Sequence, residues 1–192
     1  MASSINAITT GSGGVVTTAD NSGDLNIQSG GSTKIAVTSA GVAVTGLSKA
    51  SLPTGSVLQV VQASTSTSVT NSTATFSDTG LTASITPTSA TSKILVLVSQ
   101  SCYKTGGNAN NCVDVKLLRG ATDLGNLIYA FGYTGTAIIF YGTGSFQYLD
   151  SPATTSSTTY KTQFRNNSGV AAVGVQQDNL GISTITLMEI AA

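Results

Sequence analysis

The sequence predicts an all-β protein, a short trimeric β shaft followed by a jelly-roll β-sandwich head. Three observations carry this. Of 192 residues only 8% are charged, eight of each sign, while Ser, Thr and Gly fill 77 positions and Trp and His are absent. Thr, Val and Ile together occupy 58 positions, and these residues favour a pleated, half-buried environment over a helix. The apolar residues recur with period two in short blocks punctuated by Gly, which is the spacing of strands and turns. Disorder is disfavoured, because 40% of the chain is hydrophobic and its formal net charge is zero, the opposite of an unfolded composition.

Three segments follow in order. Residues 1–22 lack hydrophobic periodicity and read as an extended docking arm. Residues 23–52 hold three alternating blocks, Leu25-Asn-Ile27-Gln28, Ile35-Ala-Val37-Thr38 and Val42-Ala-Val44-Thr45, with Gly30-Gly31 and Gly41 at the turns. The later two are near copies, a degenerate short repeat. Each block offers two large apolar side chains on one face, and an isolated hairpin is marginal in water. Three chains wound about one axis would bury Leu25, Ile27, Ile35, Val37, Val42 and Val44 against their symmetry mates and satisfy the exposed edges. The alternative is an edge meander packed on the C-terminal domain.

Residues 53–192 form the head. Strands are expected at 56–62, 73–79, 81–86, 93–102, 112–119, 126–132, 137–149, 158–166, 170–176 and 182–190, the number and spacing of a sandwich. Val113, Val115 and Leu117 alternate with Asp114 and Lys116, which gives that strand one wet face. Ile94-Leu-Val-Leu-Val98 does not alternate, so its strand is expected to be covered on both faces, one by the core and one by a neighbouring subunit. Ile94, Val96 and Val98 accordingly join the expected trimer interface. Together these features fit a jelly roll that trimerises.

Several functions lose their basis. No basic excess exists to neutralise phosphates, so neither nucleic acid nor anionic lipid is an expected partner. No apolar run approaches a membrane span, and the first residues lack the basic start and apolar stretch of a secretory signal, so synthesis in a cytoplasm is expected. Without His, Ser-His-Asp and Cys-His arrangements and most zinc sites are excluded. Asp20, Asp24, Asp78, Asp114, Asp123, Asp150, Asp178 and Glu189 are scattered outside any glycosidase or calcium-loop spacing and read as solvated strand or turn positions. No catalytic residue, metal or cofactor is expected. Gly142-Thr-Gly144-Ser-Phe-Gln147 lacks the third Gly and following helix of a phosphate loop.

Cys102 and Cys112 bracket the loop 103–111. If the flanking strands pair, a disulfide clips the loop; a reducing cytoplasm argues for two buried thiols instead. Tyr103, Asn108, Asn110 and Asn111 in that loop are candidate receptor contacts. Tyr129, Phe131 and Tyr133 share a face by alternation, as do Phe146 and Tyr148, and such faces either stack on sugar rings or pack in a core or interface.

The pattern resembles the short fibres and surface proteins of tailed bacteriophages. The resemblance lies in the block Ile35-Ala-Val-Thr-Ser-Ala-Gly41-Val-Ala-Val-Thr-Gly46 and, in the head, in Val57-Leu-Gln-Val-Val61, Gly80-Leu-Thr-Ala-Ser-Ile-Thr-Pro87, Ser92-Lys-Ile-Leu-Val-Leu-Val98, Tyr148-Leu-Asp-Ser-Pro152 and Ser183-Thr-Ile-Thr-Leu-Met-Glu-Ile190. It covers most of the chain from Asp24 onward. It implies a homotrimer on the virion surface, docked on a capsid or tail protein through its arm, with the head pointing outward toward a host surface glycan. It brings no catalytic motif. Tail fibres proper begin with a sizeable adaptor, whereas only about 22 residues precede this repeat, so a capsid decoration (cement) protein that stabilises the shell is the alternative.

Overall fold

The computed structural model describes residues 25–29, 31–45, 52–107 and 109–192. The chain divides into two compact units, Met1–Ser48 and Lys49–Ala192. The expected docking arm, together with Asp20 and Asp24, lies outside the described residues.

The first unit contains a three-stranded antiparallel meander, β1 (Leu25–Ser29), β2 (Ser32–Thr38) and β3 (Gly41–Val44). Gly41 adopts a φ of 126°, a left-handed conformation that only Gly takes without strain. This allows Thr38 and Gly41 to pair and close the second hairpin.

The second unit is a sandwich of two antiparallel sheets. Its strands are β4 (Val57–Thr65), β5 (Val69–Asn71), β6 (Ser77–Ile85), β7 (Lys93–Lys104), β8 (Val113–Arg119), β9 (Thr122–Phe131), β10 (Phe140–Asp150), β11 (Thr158–Asn166), β12 (Val173–Val175) and β13 (Ser183–Ile190). One sheet runs β6-β11-β8-β9. In the other, β7 pairs on one side with β10 over its whole length and on the other side with β13, then with β12 near its C-terminal end; β4 flanks β13 and β5 flanks β12. Alternation is what fills the interior: Val61, Leu187, Val96 and Tyr148 form one row across the second sheet, and Ala63, Ile185, Val98 and Phe146 the next.

The core has two apolar compartments. One gathers Leu81, Ile85, Ile94, Val96, Leu117, Tyr160, Ile185 and Leu187, the other Val113, Val115, Phe164, Val173 and Val175. Between them lies a buried polar layer of Thr79, Gln100, Thr162, Gln176 and Ser183. Thr162 Oγ1 donates to Gln100 Oε1 at 3.0 Å and shares a 2.6 Å bond with Thr79 Oγ1, while Gln100 Nε2 donates to Ser183 Oγ at 2.8 Å. The Gln176 amide completes the layer when its oxygen accepts from Gln100 Nε2 (2.7 Å) and Ser183 Oγ (2.9 Å) and its nitrogen donates to Thr67 O. Buried polar groups of this kind are tolerated because each finds partners, and a network with gaps would be worse than an apolar core.

The head has a base and a tip. At the base the chain enters beside its own C-terminus, Gly55 N donating to Ala191 O and Ala191 N to Ser56 O. The C-terminal ends of β7, β9 and β11 lie together at the opposite end, so the connections 105–112, 132–139 and 167–172 all gather at the tip.

Candidate functional site

Register decides what the meander presents. Ile27 stands opposite Ile35, which stands opposite Val44; Val37 stands opposite Val42, and Leu25 occupies the register position opposite Val37. Because cross-strand partners and residues two apart share a face, Ile27, Ile35, Val37, Val42 and Val44 form two rows on one side of the sheet. That side has no covering layer within its own unit: Ile27 is 50% exposed, Val37 38%, Val42 68% and Val44 49%, and Ile35 is half-buried. The side chain of Leu25 lies outside the described residues. Covering the five described residues would contribute roughly 4–8 kcal/mol per chain, taking about 1.5–3 kcal/mol for each fully buried side chain and half of that for a residue half covered already.

Ile94, Val96 and Val98 are not in such an open position. All three point into the head's own core, at 0%, 0% and 3% exposure, which removes them from any contact between chains. The run is covered on its inner face by these residues, while Leu95 and Leu97 stand half-buried on the outer face. The reason is parity. With apolar residues on both faces, the sequence gives no sign of which set turns inward, and a shift of one residue exchanges the two faces.

The tip receives the candidate receptor residues unequally. Tyr103 is half-buried on the outer face, its ring lying over Gly174 and paired with Tyr141 at 6.1 Å between centroids. Asn110 is exposed, and Asn108 lies outside the described residues. Asn111 is fully buried and its Nδ2 donates to Ala172 O at 2.7 Å, so it serves the packing of the loop and is not a receptor contact. Nor do Tyr129 and Phe131 share a face. Ala130 has a φ of 53° and the β8–β9 register shifts between Val113 and Val115, so Tyr129 faces solvent while Phe131 packs on the core and edge-on against Phe140. Sequence reading missed the exposed run Ile138, Ile139, Phe140 and Tyr141 beside Tyr133, although four consecutive apolar residues next to Gly135 signalled it. Lys104 was also missed: it is fully buried, and its Nζ donates to Thr134 Oγ1 at 2.7 Å and Thr136 O at 3.1 Å, tying the 132–139 connection to the end of β7.

The premise of a Cys102–Cys112 clip fails, since β7 and β8 lie in opposite sheets and do not pair. Both cysteines are free, buried thiols. Burial pushes the Cys102 thiol up to about 12, and burial with the nearby Asp114 charge raises Cys112; neither is poised as a nucleophile.

The carboxylates are engaged in holding the fold, and three of them are buried where solvated positions were expected. Asp114 is fully buried and accepts from Ala130 N (2.9 Å), Arg165 Nε (3.0 Å) and Asn167 Nδ2 (2.7 Å). Asp150 accepts from Arg119 Nη1 (2.8 Å) and Tyr160 Oη (2.6 Å); burial and this carboxylate raise the Tyr160 phenol well above its usual range. Glu189 is buried, which would raise its pKa, but bonds from Thr88, Ser92 and Gln59 outweigh that and hold it below the usual range. Asp78 pairs with Lys161 and Asp123 with Lys116, both at 2.9 Å on the surface, and their hydrogen-bond partners lower both carboxylates. Asp178 accepts from Gln177. Among the described residues no three His, Cys, Asp or Glu side chains gather where a metal ion could be held, and none of their helices is long and apolar enough to cross a membrane. Gly142 and Gly144 belong to β10, where a Cβ would strike Phe131 and Ile128 respectively; they let β9 and β10 approach and form no loop.

No family model matches this sequence, and no curated protein does. Thirteen chains among solved structures match. One is the crystal structure of the infectious bursal disease virus VP2 subviral particle, similar at a TM-score of 0.37 with 15% identity over 71% of this chain and 38% of that one. This chain thus spans little more than a third of that chain's length, and a likeness this distant carries no argument about function.

Proposed function

We propose that this chain is a non-enzymatic structural protein of a tailed-phage particle, a homotrimeric surface fibre whose head projects toward the host. The observation that carries the reading is the meander: two rows of apolar side chains on one face of a three-stranded sheet that has no second layer of its own to cover them. Three copies facing one axis bury those rows and leave Asn26, Gln28, Lys34 and Thr38 away from it. The strand order supports a jelly-roll head. Numbered by the eight long head strands, the sheets read 1-8-3-6 and 2-7-4-5, an order in which nearly every connection crosses between sheets. The base-to-tip layout supports projection, since both ends of the head chain meet at the base and the long connections gather at the tip. The engaged carboxylates and the buried, protonated thiols support a role without catalysis.

The mechanism is multivalent. Three weak tip contacts on one rigid stem, repeated over a particle, raise the effective concentration at a host surface without any single tight pocket. The test is an image of intact particles with this chain labelled, paired with particles that lack it. Label on projections, with loss of host attachment, is the expected result. Label spread over the shell lattice, with particles that attach normally and burst at lower temperature, would overturn the fibre reading in favour of a cement protein.

A further inference from the structure

The two outer faces of the head differ in charge. On the outer face of β6-β11-β8-β9, Asp78 pairs with Lys161, Asp123 with Lys116 and Asp114 with Arg165. Phe76 lies under both Lys116 and Arg165, with the cationic groups 4.5 and 4.8 Å from its ring centre. Every charge there has its partner within the same chain.

The opposite face carries almost none. Its register gives an apolar row of Val60, Met188, Leu95 and Leu149, then a row of Gln62, Thr186, Leu97 and Gln147, then Ser64, Thr184, Ser99 and Ser145. Beyond these lie Ser101 with Thr143 and the ring pair Tyr103 with Tyr141. Lys93, at the base end of β7, is the one cation on this face of that strand, and the exposed Asp178 lies two residues before Leu180. The small side chains of the third row leave a groove of about 480 Å³ lined by Leu97, Ser99, Ser145, Gln147, Thr184 and Thr186. Gly181 packs against Ser101 at the rim and sets up Leu180, 84% exposed, and Ile182, 64% exposed, as an apolar ridge beside the groove.

We infer that this outer face, from the Val60-Met188-Leu95-Leu149 row to the Leu180 ridge, is where the head meets a second copy of the same chain. The inference rests on the trimeric reading above and names the head surface it uses. A face of neutral hydroxyls, amides and apolar groups opposes a copy of itself, or a copy's ridge, without like charges meeting and without desolvating an ion; the charged face would have to do both. Its extent is adequate: four strands at about 4.8 Å and nine residues at about 3.4 Å give roughly 600 Å² in plan. A standard interface takes about 800 Å² of accessible surface per partner, and side-chain relief plus the meander supply the remainder. It also accounts for the non-alternating run on β7, whose second covered face is the Leu95 and Leu97 side.

The test is thiol cross-linking of the full chain. The native cysteines are buried at 1% and 3% exposure, so the unchanged protein is a silent background. Ser145→Cys places a thiol on the neutral face, and Ser84→Cys places one on an exposed position of the charged face. With a short bismaleimide, which joins two thiols, the Ser145→Cys chain shifts to a dimer band on a denaturing gel, and the Ser84→Cys chain stays at monomer. In a chain whose native mass is threefold, cross-linking at Ser84, or none at Ser145, overturns this inference and leaves the trimeric reading standing. A native mass of one chain sinks both.

Discussion

Removing the carboxylate of Asp114 is the most demanding test of how the head is held. The group is fully buried on β8, bound by the Arg165 guanidinium and by donors from Ala130 and Asn167. Asp114→Ala therefore takes one acceptor from three donors at once and leaves a partly buried Arg165 charge without its partner. Breaking a buried pair from one side costs about 3–5 kcal/mol. For a chain of this size each kcal/mol moves Tm by about 2–4 °C, so the loss should be roughly 6–20 °C. Asp123→Ala is the control, because its pair with Lys116 is on the surface, with Asp123 52% exposed, and such pairs contribute about 0–1 kcal/mol. Thermal melts followed by circular dichroism at one fixed protein concentration would compare them, since assembly makes Tm concentration-dependent. If Asp114→Ala melts within a degree or two of Asp123→Ala, the reasoning from burial and shared donors is wrong.

Gly144→Ala should destabilise the head by about 1–3 kcal/mol through overpacking against Ile128, and in urea melts its cost should shrink in a chain that already carries Ile128→Ala, because the two side chains compete for one space. Glu189 has a folded pKa below its ordinary value of 4.5, so its contribution is complete above that value and is lost as pH falls through the folded one. Urea midpoints of the native chain should drop from neutral pH to about pH 3, and Glu189→Gln should flatten part of that drop. The free thiols give a third check: alkylation without reductant should label neither cysteine in the native chain and both after denaturation, and a mass showing no label after denaturation would mean a bridge.

Most head strands were legible because period-two alternation survives wherever one face is wet. β8 and β11 follow it nearly to the residue and β10 differs mainly at its start, whereas the two strands expected at 73–79 and 81–86 are one strand, β6, running through Gly80, and β5 was not expected. What could not be read from the chain was parity and pairing across space. On β7 both residue sets are apolar, so nothing local says that Ile94, Val96 and Val98 turn inward and Leu95 and Leu97 outward. Asp114 sits on the expected outer face of β8, yet Arg165, Asn167 and the bulged end of β9 close over it. Cys102 and Cys112 are neighbours along the chain, which suggested a hairpin, but the connection crosses between sheets. The positive φ at Ala130 and the register shift beside it carry no sequence signature, and together they separate Tyr129 from Phe131. The meander was the opposite case. Its alternation and its turn glycines place the apolar rows on one face, because a three-stranded sheet with two-residue turns has little freedom in register.

Native mass spectrometry of the purified full chain tests the central claim most directly. The account predicts a species at three times 19.2 kDa that persists on dilution and falls apart when Val42→Asp places a charge in the meander's apolar row. A chain that remains at 19.2 kDa at every concentration, with its meander protected from proteolysis all the same, would contradict it.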